Sequence, residues 1–228
     1  MNAGFITGDE STLIIDTGAN AAAAATIHGY ATTARPSNQL LVLDTERHFD
    51  HIGGNGYFRA RGIDVYGHSS IQRTDDEFRA EMAEFNQGIS SAARRAHQES
   101  RVFYHGARLA NPNRPVTEDF RMNLGNCEID ILLTPGHTPS NISVYVPSDG
   151  ALFCGDCLTN GYLPNLDAGS IDDWRVWLGS LDRIAALAPR IIVAGHGPVA
   201  TGDEVPPMIQ KVREILQQSI DAGRSPTS

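Results

Sequence analysis

The chain has 228 residues, of which 27 are acidic and 18 basic, giving a formal net charge of -9. This size predicts one domain, residues 1–228, with enough length to bury a core without disulfides. The acidic balance and the lack of a basic stripe argue against a nucleic-acid partner, and no apolar run approaches the ~20 residues of a membrane span.

The N-terminal MNAGFITGDE has neither the basic nor the apolar region of a secretory signal, so the expected location is cytoplasmic. STLIID reads as an apolar strand that ends in the turn Asp16-Thr17-Gly18. The alanine-rich stretch after it predicts a packed helix stopped at Arg35-Pro36. NQLLVLDTE is a second strand, a continuous apolar run of the kind found in sheets covered on both faces. It delivers Glu46, His48, Asp50 and His51 in TERHFDHIGGN. A turn, a short helix and the strand IDVYGHSS follow.

A mostly polar helix is expected from Thr74 to about Ser100, with Phe78, Met82 and Phe85 on one face. It forms most of a helical, lid-like insertion at about 74–115, to which Phe103 and Tyr104 also belong. Residues 101–120 read as irregular, with NPNRP a loop. CEIDILLTPGH, ISVYVPSDG and GALFCGD read as three strands, the last two joined by a tight turn. In IDDWRVWLGSLDRIAALAP, Trp174, Trp177, Leu178, Leu181, Ile184 and Leu187 share one helical face, and Ser170 or Asp172 is the N-cap. RIIVAGHGP is a strand ending in a histidine, and DEVPPMIQKVREILQQSIDAG is the last helix. Neighbouring strands with tight turns among helices predict a mixed sheet, or two sheets, flanked by helices.

The three cysteines, Cys127, Cys154 and Cys157, do not make a disulfide framework. Cys154 and Cys157 form a C-x-x-C with no second ligand pair nearby. They read as structural thiols of a reducing compartment.

Asp16, Glu46, His48, Asp50, His51, His137, Asp156 and His196 all fall just after apolar strand-like runs, in Gly- or Pro-flanked turns. Strand ends are where loops converge on a rigid sheet. Imidazole and carboxylate are the ligand types that zinc, manganese and iron accept. A lone histidine in a turn is more often a hydrogen-bonded surface residue, which is the reading for His28, His97 and His105. His68 also ends a strand and stays open between the two readings.

The pieces LIIDTG, HFDHIGGN, TPGHTPSN, LFCGD and VAGHG, taken in order, resemble the metallo-β-lactamase superfamily. The resemblance implies an α/β protein, an αββα sandwich of two mixed β-sheets flanked by helices, with a dinuclear metal site at one edge. It implies a first metal on Glu46, His48 and His137, a second on Asp50, His51 and His196, and Asp156 as the bridge. It also implies that Asp16 orients a ligand by hydrogen bonds. Glu46 stands where the family pattern has its first histidine. The aspartate bridge resembles the glyoxalase II and lactonase branch.

The implied cofactors are two divalent ions, zinc first, with Mn²⁺ or Fe²⁺ as alternatives. The implied activity is a dinuclear metallohydrolase. A metal-bound hydroxide, with Asp50 as ligand and orienting catalytic group, attacks the carbonyl of a small ester, thioester, lactone or amide, β-lactams included. Tyr162 and Asn165, in the loop after the bridge, are candidate substrate contacts. Lys211, Arg213 and Arg224 are too scattered for a glutathione-type basic cluster. Two other readings stay open: a mononuclear iron oxygenase of the persulfide-dioxygenase type, and a non-catalytic metal-binding protein. The sequence leaves oligomeric state open.

Overall fold

In the computed structural model the expected strands and helices form in chain order. Residues 1–88, 107–166 and 169–225 are described, without the side chains of 85–88. His97, Phe103, Tyr104 and His105, and with them residues 89–106 of the proposed lid and the rest of its expected helix, lie outside them, as does the side chain of Phe85. The chain divides into two compact units, Ala3–Pro115 and Met1–Asn2 with Val116–Ser228.

The first unit is built on β1 (Gly4–Thr7), β2 (Ser11–Ile15), β3 (Gln39–Leu43) and β4 (Val65–His68), with β5 (Arg114–Val116) closing the sheet in the order β1-β2-β3-β4-β5. β1 pairs antiparallel to β2, while β2, β3 and β4 run parallel. Parallel strands need a crossover, and α1 (Ala21–Ala34) supplies it between β2 and β3. Asn20 caps α1 by accepting from the amides of Ala22 and Ala23. The helix buries Ala24 and Ala31 against Ile14, Val42, Phe58 and Val65. Two short helices, α2 (Phe49–Ile52) and α3 (Asn55–Arg59), follow β3. Before β5 stands α4 (Asp75–Gly88), capped by reciprocal bonds between Thr74 and Glu77.

The second unit is a sheet ordered β11-β10-β9-β8-β7-β6. Its strands are β6 (Phe120–Asn123), β7 (Glu128–Leu133), β8 (Ile142–Val146), β9 (Ala151–Phe153), β10 (Ile191–Val193) and β11 (Ala200–Thr201). All neighbours are antiparallel except β9 and β10, whose parallel crossover is α5 (Ile171–Ala186). Ser170 caps α5 in a capping box with Asp173. Trp174, Trp177, Leu181 and Ile184 are buried as the helical pattern requires, and Leu178 and Leu187 pack partly buried beside them. The last helix, α6 (Val205–Ala222), ends at Gly223 in the left-handed conformation.

One expectation is corrected. Residues 101–120 are not wholly irregular: Arg114–Val116 form β5 and Phe120 opens β6. Both strands are short and largely exposed, so the hydrophobic pattern does not mark them. Among the described residues no helix is long and apolar enough to cross a membrane.

Candidate metal centre

Pairing of Ile15 with Leu43 brings the ends of the parallel strands β2 and β3 level, so Asp16 meets the segment Asp44–Glu46. Asp16 takes a left-handed backbone conformation, φ 61°. Its carboxylate accepts from the Thr45 amide at 2.7 Å, from the Thr45 hydroxyl at 2.7 Å and from His51 Nδ1 at 2.9 Å. An ionised carboxylate only accepts, so the His51 proton sits on Nδ1. Nε2, which carries the lone pair when the ring is neutral, lies 3.3 Å from Oε1 of Glu46.

Glu46 is fully buried, and the same oxygen lies 2.8 Å from Nδ1 of His48. One carboxylate oxygen thus faces two imidazoles. α2 makes this arrangement compact. Phe49 and Ile52 turn into a cluster with Ile71 and Phe78, while His51 stays in reach of Glu46 and Asp50 Oδ2 lies 3.8 Å from His51 Nε2. Gly53 and Gly54 let the Thr17–Ala19 backbone pack against the turn: a Cβ at either would come within 2.3 Å of a carbonyl oxygen.

The second unit repeats the motif. Oδ2 of Asp156 lies 3.8 Å from His137 Nε2 and 3.5 Å from His196 Nε2. His137 donates from Nδ1 to the Asn165 carbonyl at 3.1 Å, which in the neutral ring leaves the lone pair on Nε2. Asp156 stands in the 3₁₀ turn Gly155–Cys157 after β9, His196 after β10, and His137 after β7 in a turn pressed against Trp177.

Electrostatics follow burial and neighbours. Burial opposes charge on His48, but Glu46, by charge and hydrogen bond, and then Glu81 outweigh it and raise its pKa. Burial pushes the Asp44 carboxyl well above the usual range. The Asn55 bond works the other way, and the Asp16 charge adds to the rise. Both thiols of the C-x-x-C are free, buried and raised, Cys157 to about 12.

Tyr162 is exposed and meets the His196 ring edge-on at 6.5 Å between centroids. Asn165 contributes its backbone carbonyl to His137. His28 bonds to the Tyr57 hydroxyl, and His68 to Ser70. Sequence reading missed Thr45, which helps Asp16 hold His51, and Asn55, which ties Thr17 to Asp44. It also missed Glu81, whose Oε1 lies 4.0 Å from His48 Nε2. The one sequence signal for Asp44 was a carboxylate ending an apolar strand.

The family model of the metallo-beta-lactamase superfamily matches residues 2–196. The chain belongs to that superfamily, and its histidines and carboxylates are the donor types of a dinuclear metallohydrolase. Among curated relatives, it is 29% identical over 157 residues to a hydroxyacylglutathione hydrolase of Rhodospirillum rubrum, a match covering 68% of this chain and 47% of that protein. The chain thus spans about half the length of that relative. It is 25% identical to the probable metallo-hydrolase YqgX of Bacillus subtilis, covering 86% and 85%. A metallo-beta-lactamase family protein of Thermus thermophilus matches in structure with a TM-score of 0.70 at 22% identity, covering 97% of this chain and 76% of that one. That likeness gives the fold, the αββα class of two mixed sheets flanked by helices that the sequence leads one to expect.

Proposed function

We propose that the two half-sites form one dinuclear metal centre that hydrolyses a small ester, thioester, lactone or amide. In this reading Glu46, His48 and His137 hold one ion, Asp50, His51 and His196 the other, and Asp156 lies between them.

The observation that carries the reading is the fixed tautomer of His51 and of His137. In each, Nδ1 donates to an oxygen, so Nε2 presents a lone pair to a carboxylate. A lone pair facing a carboxylate is reconciled by a cation between them. Two ligands each ~2.0–2.1 Å from a tetrahedral ion stand about 3.3 Å apart; of the pairs this reading puts on one ion, His196–Asp156 at 3.5 Å lies close to that and His51–Asp50 and His137–Asp156, both at 3.8 Å, lie somewhat beyond it. The donor set therefore fits divalent metal.

Bound there, two divalent ions would supply Lewis acidity and an activated water near neutral pH. Asp50, half-buried beside His51, is placed to orient that water and hold its proton on Oδ2. Asp16 keeps His51 in the ligating tautomer, and the Asn165 carbonyl does the same for His137. Tyr162, at the His196 ring, contacts the substrate. Two divalent ions bring four positive charges, and Glu46, Asp50 and Asp156 leave one uncancelled. A histidine at 46 would leave two. The glutamate makes the centre a weaker Lewis acid and more tolerant of oxygen-preferring Mn²⁺ or Fe²⁺.

The test is elemental analysis of protein purified without added metal, followed by a panel of esters, lactones, β-lactams and thioesters. An acylglutathione belongs in the panel because of the R. rubrum relative's name. Two ions per chain and turnover of a panel member support the reading. A single iron points to the oxygenase, and no uptake on titration points to a non-catalytic protein.

A further inference from the structure

Helix α4 is polar in sequence yet firmly docked. Phe78 is buried and Met82 partly buried against Phe49, Ile52 and Ile71. Glu81 is three residues after Phe78, so it shares that inward face. Arg73, buried just before the helix, fastens three groups at once. Its guanidinium donates to the Arg47 carbonyl at 3.0 Å, to the Glu77 carbonyl at 3.2 Å and to Oε2 of Glu81. The second Glu81 oxygen faces Nε2 of His48 at 4.0 Å. That is an ion-pair contact rather than a hydrogen bond. His48 is thereby held between Glu46 at Nδ1 and Glu81 at Nε2.

In the dinuclear reading, an ion shared by Glu46 and His48 would take the ring nitrogen that faces Glu46, Nδ1. The ring proton then belongs on Nε2, and Glu81 is the carboxylate on that side. We propose that Glu81, held by Arg73, is a positioning residue of the metal centre whose charge on the Nε2 side favours the His48 orientation and tautomer with the ring proton on Nε2. Helix α4 thus takes part in metal binding besides covering the site. The inference rests on the dinuclear reading above.

The test is zinc affinity by chelator competition, using wild type, Glu81→Gln, Glu81→Ala and, as a control, Glu84→Gln, an exposed carboxylate on the same helix. Loss of a carboxylate partner of a ligating histidine weakens metal about 10–100-fold. Glu81→Ala should lose that factor in one zinc equivalent and leave the other unchanged. Glu81→Gln keeps an acceptor for Arg73 and the fold, so its metal-free melting temperature should match wild type while its affinity falls by about tenfold. The visible spectrum of the Co²⁺-loaded variant should also change, which a purely structural role would not produce. Wild-type protein that binds two zinc ions, beside a folded Glu81→Gln with unchanged affinity and Co²⁺ spectrum, overturns this inference alone. Wild-type protein that takes up no metal overturns both it and the dinuclear reading.

Discussion

Oε1 of Glu46, a fully buried side chain, lies 2.8 Å from Nδ1 of the half-buried His48. Where the family pattern has a neutral imidazole, this chain carries an anionic carboxylate that still reaches His48 and His51. Glu46→His should therefore tighten zinc on the order of tenfold, about 1.4 kcal/mol, and narrow the tolerance for Mn²⁺. Competitive titration with the two ions measures both. Unchanged stoichiometry and affinity would remove Glu46 from the ligand set.

Asp16→Asn attacks the tautomer of His51. The amide cannot accept from both Thr45 and His51 as the carboxylate does. If its NH₂ faces His51, the ring proton moves to Nε2 and the ligating lone pair is lost. Metal affinity should fall about 10–100-fold, with a parallel loss of hydrolysis. Calorimetric titration of the folded variant is the check, and wild-type affinity there would refute the orienting role.

Gly136 precedes His137 and packs against the Trp177 indole, where a Cβ would come 2.5 Å from the ring. Trp177 is itself fixed by its bond to the Cys157 carbonyl at 2.9 Å. Gly136→Ala should cost about 1–3 kcal/mol as overpacking and, on the proposed ligand set, weaken metal binding through His137. Gly29→Ala, on a helix with open space around it, should stabilise by about 0.4–1 kcal/mol. Urea midpoints compare the two, and equal midpoints would contradict the packing argument.

Asp44 gives a pH signature in metal-free protein. Its folded pKa is raised, chiefly by burial, so the native state holds its proton more tightly than the unfolded chain. The stabilisation is full below the unfolded value, ~3.9. It is lost as pH rises through the folded value. Asp44→Asn keeps an acceptor for Asn55 and cannot ionise. Its stability should therefore decline less than wild type from pH 4 to 8. Parallel urea curves over that range would show that Asp44 is not held protonated.

The C-x-x-C should be inert. Cys154 and Cys157 are buried with raised pKa values, and the thiolate is the reactive form. Native protein should be alkylated at Cys127 at most, and all three thiols should react after unfolding. Rapid native labelling of Cys157 would reopen a redox role.

The turns that carry the histidines and carboxylates were legible because each follows a strand-like, largely apolar run, and the strand pairing of Ile15 with Leu43 puts two of them side by side. The long amphipathic helices were legible from Trp174 to Ile184 by periodicity alone. β6 was not: Phe120–Asn123 alternates half-buried and exposed residues over only four positions, too short to separate from a loop. Glu81 was equally hidden. Its neighbour His48 is 33 positions earlier, and no local pattern announces that a polar helix will fold a carboxylate back onto the histidine turn. Periodicity reports which face is covered, and long-range polar partners are set by tertiary packing.

The His196 turn and the loop carrying Tyr162 are joined. Thr159 bridges to His196, the Asn160 amide bonds the His196 carbonyl at 2.9 Å, and its side chain bonds the Pro198 carbonyl at 2.9 Å. Gly197 passes so close that a Cβ would stand 1.7 Å from the Asn160 oxygen. Residues 158–163 therefore cannot be exchanged as an independent cassette to change substrate preference. A graft that disturbs Asn160 displaces His196 with it. Selection for a new substrate would therefore retain Thr159 and Asn160 and vary Tyr162 and Leu163 beyond them.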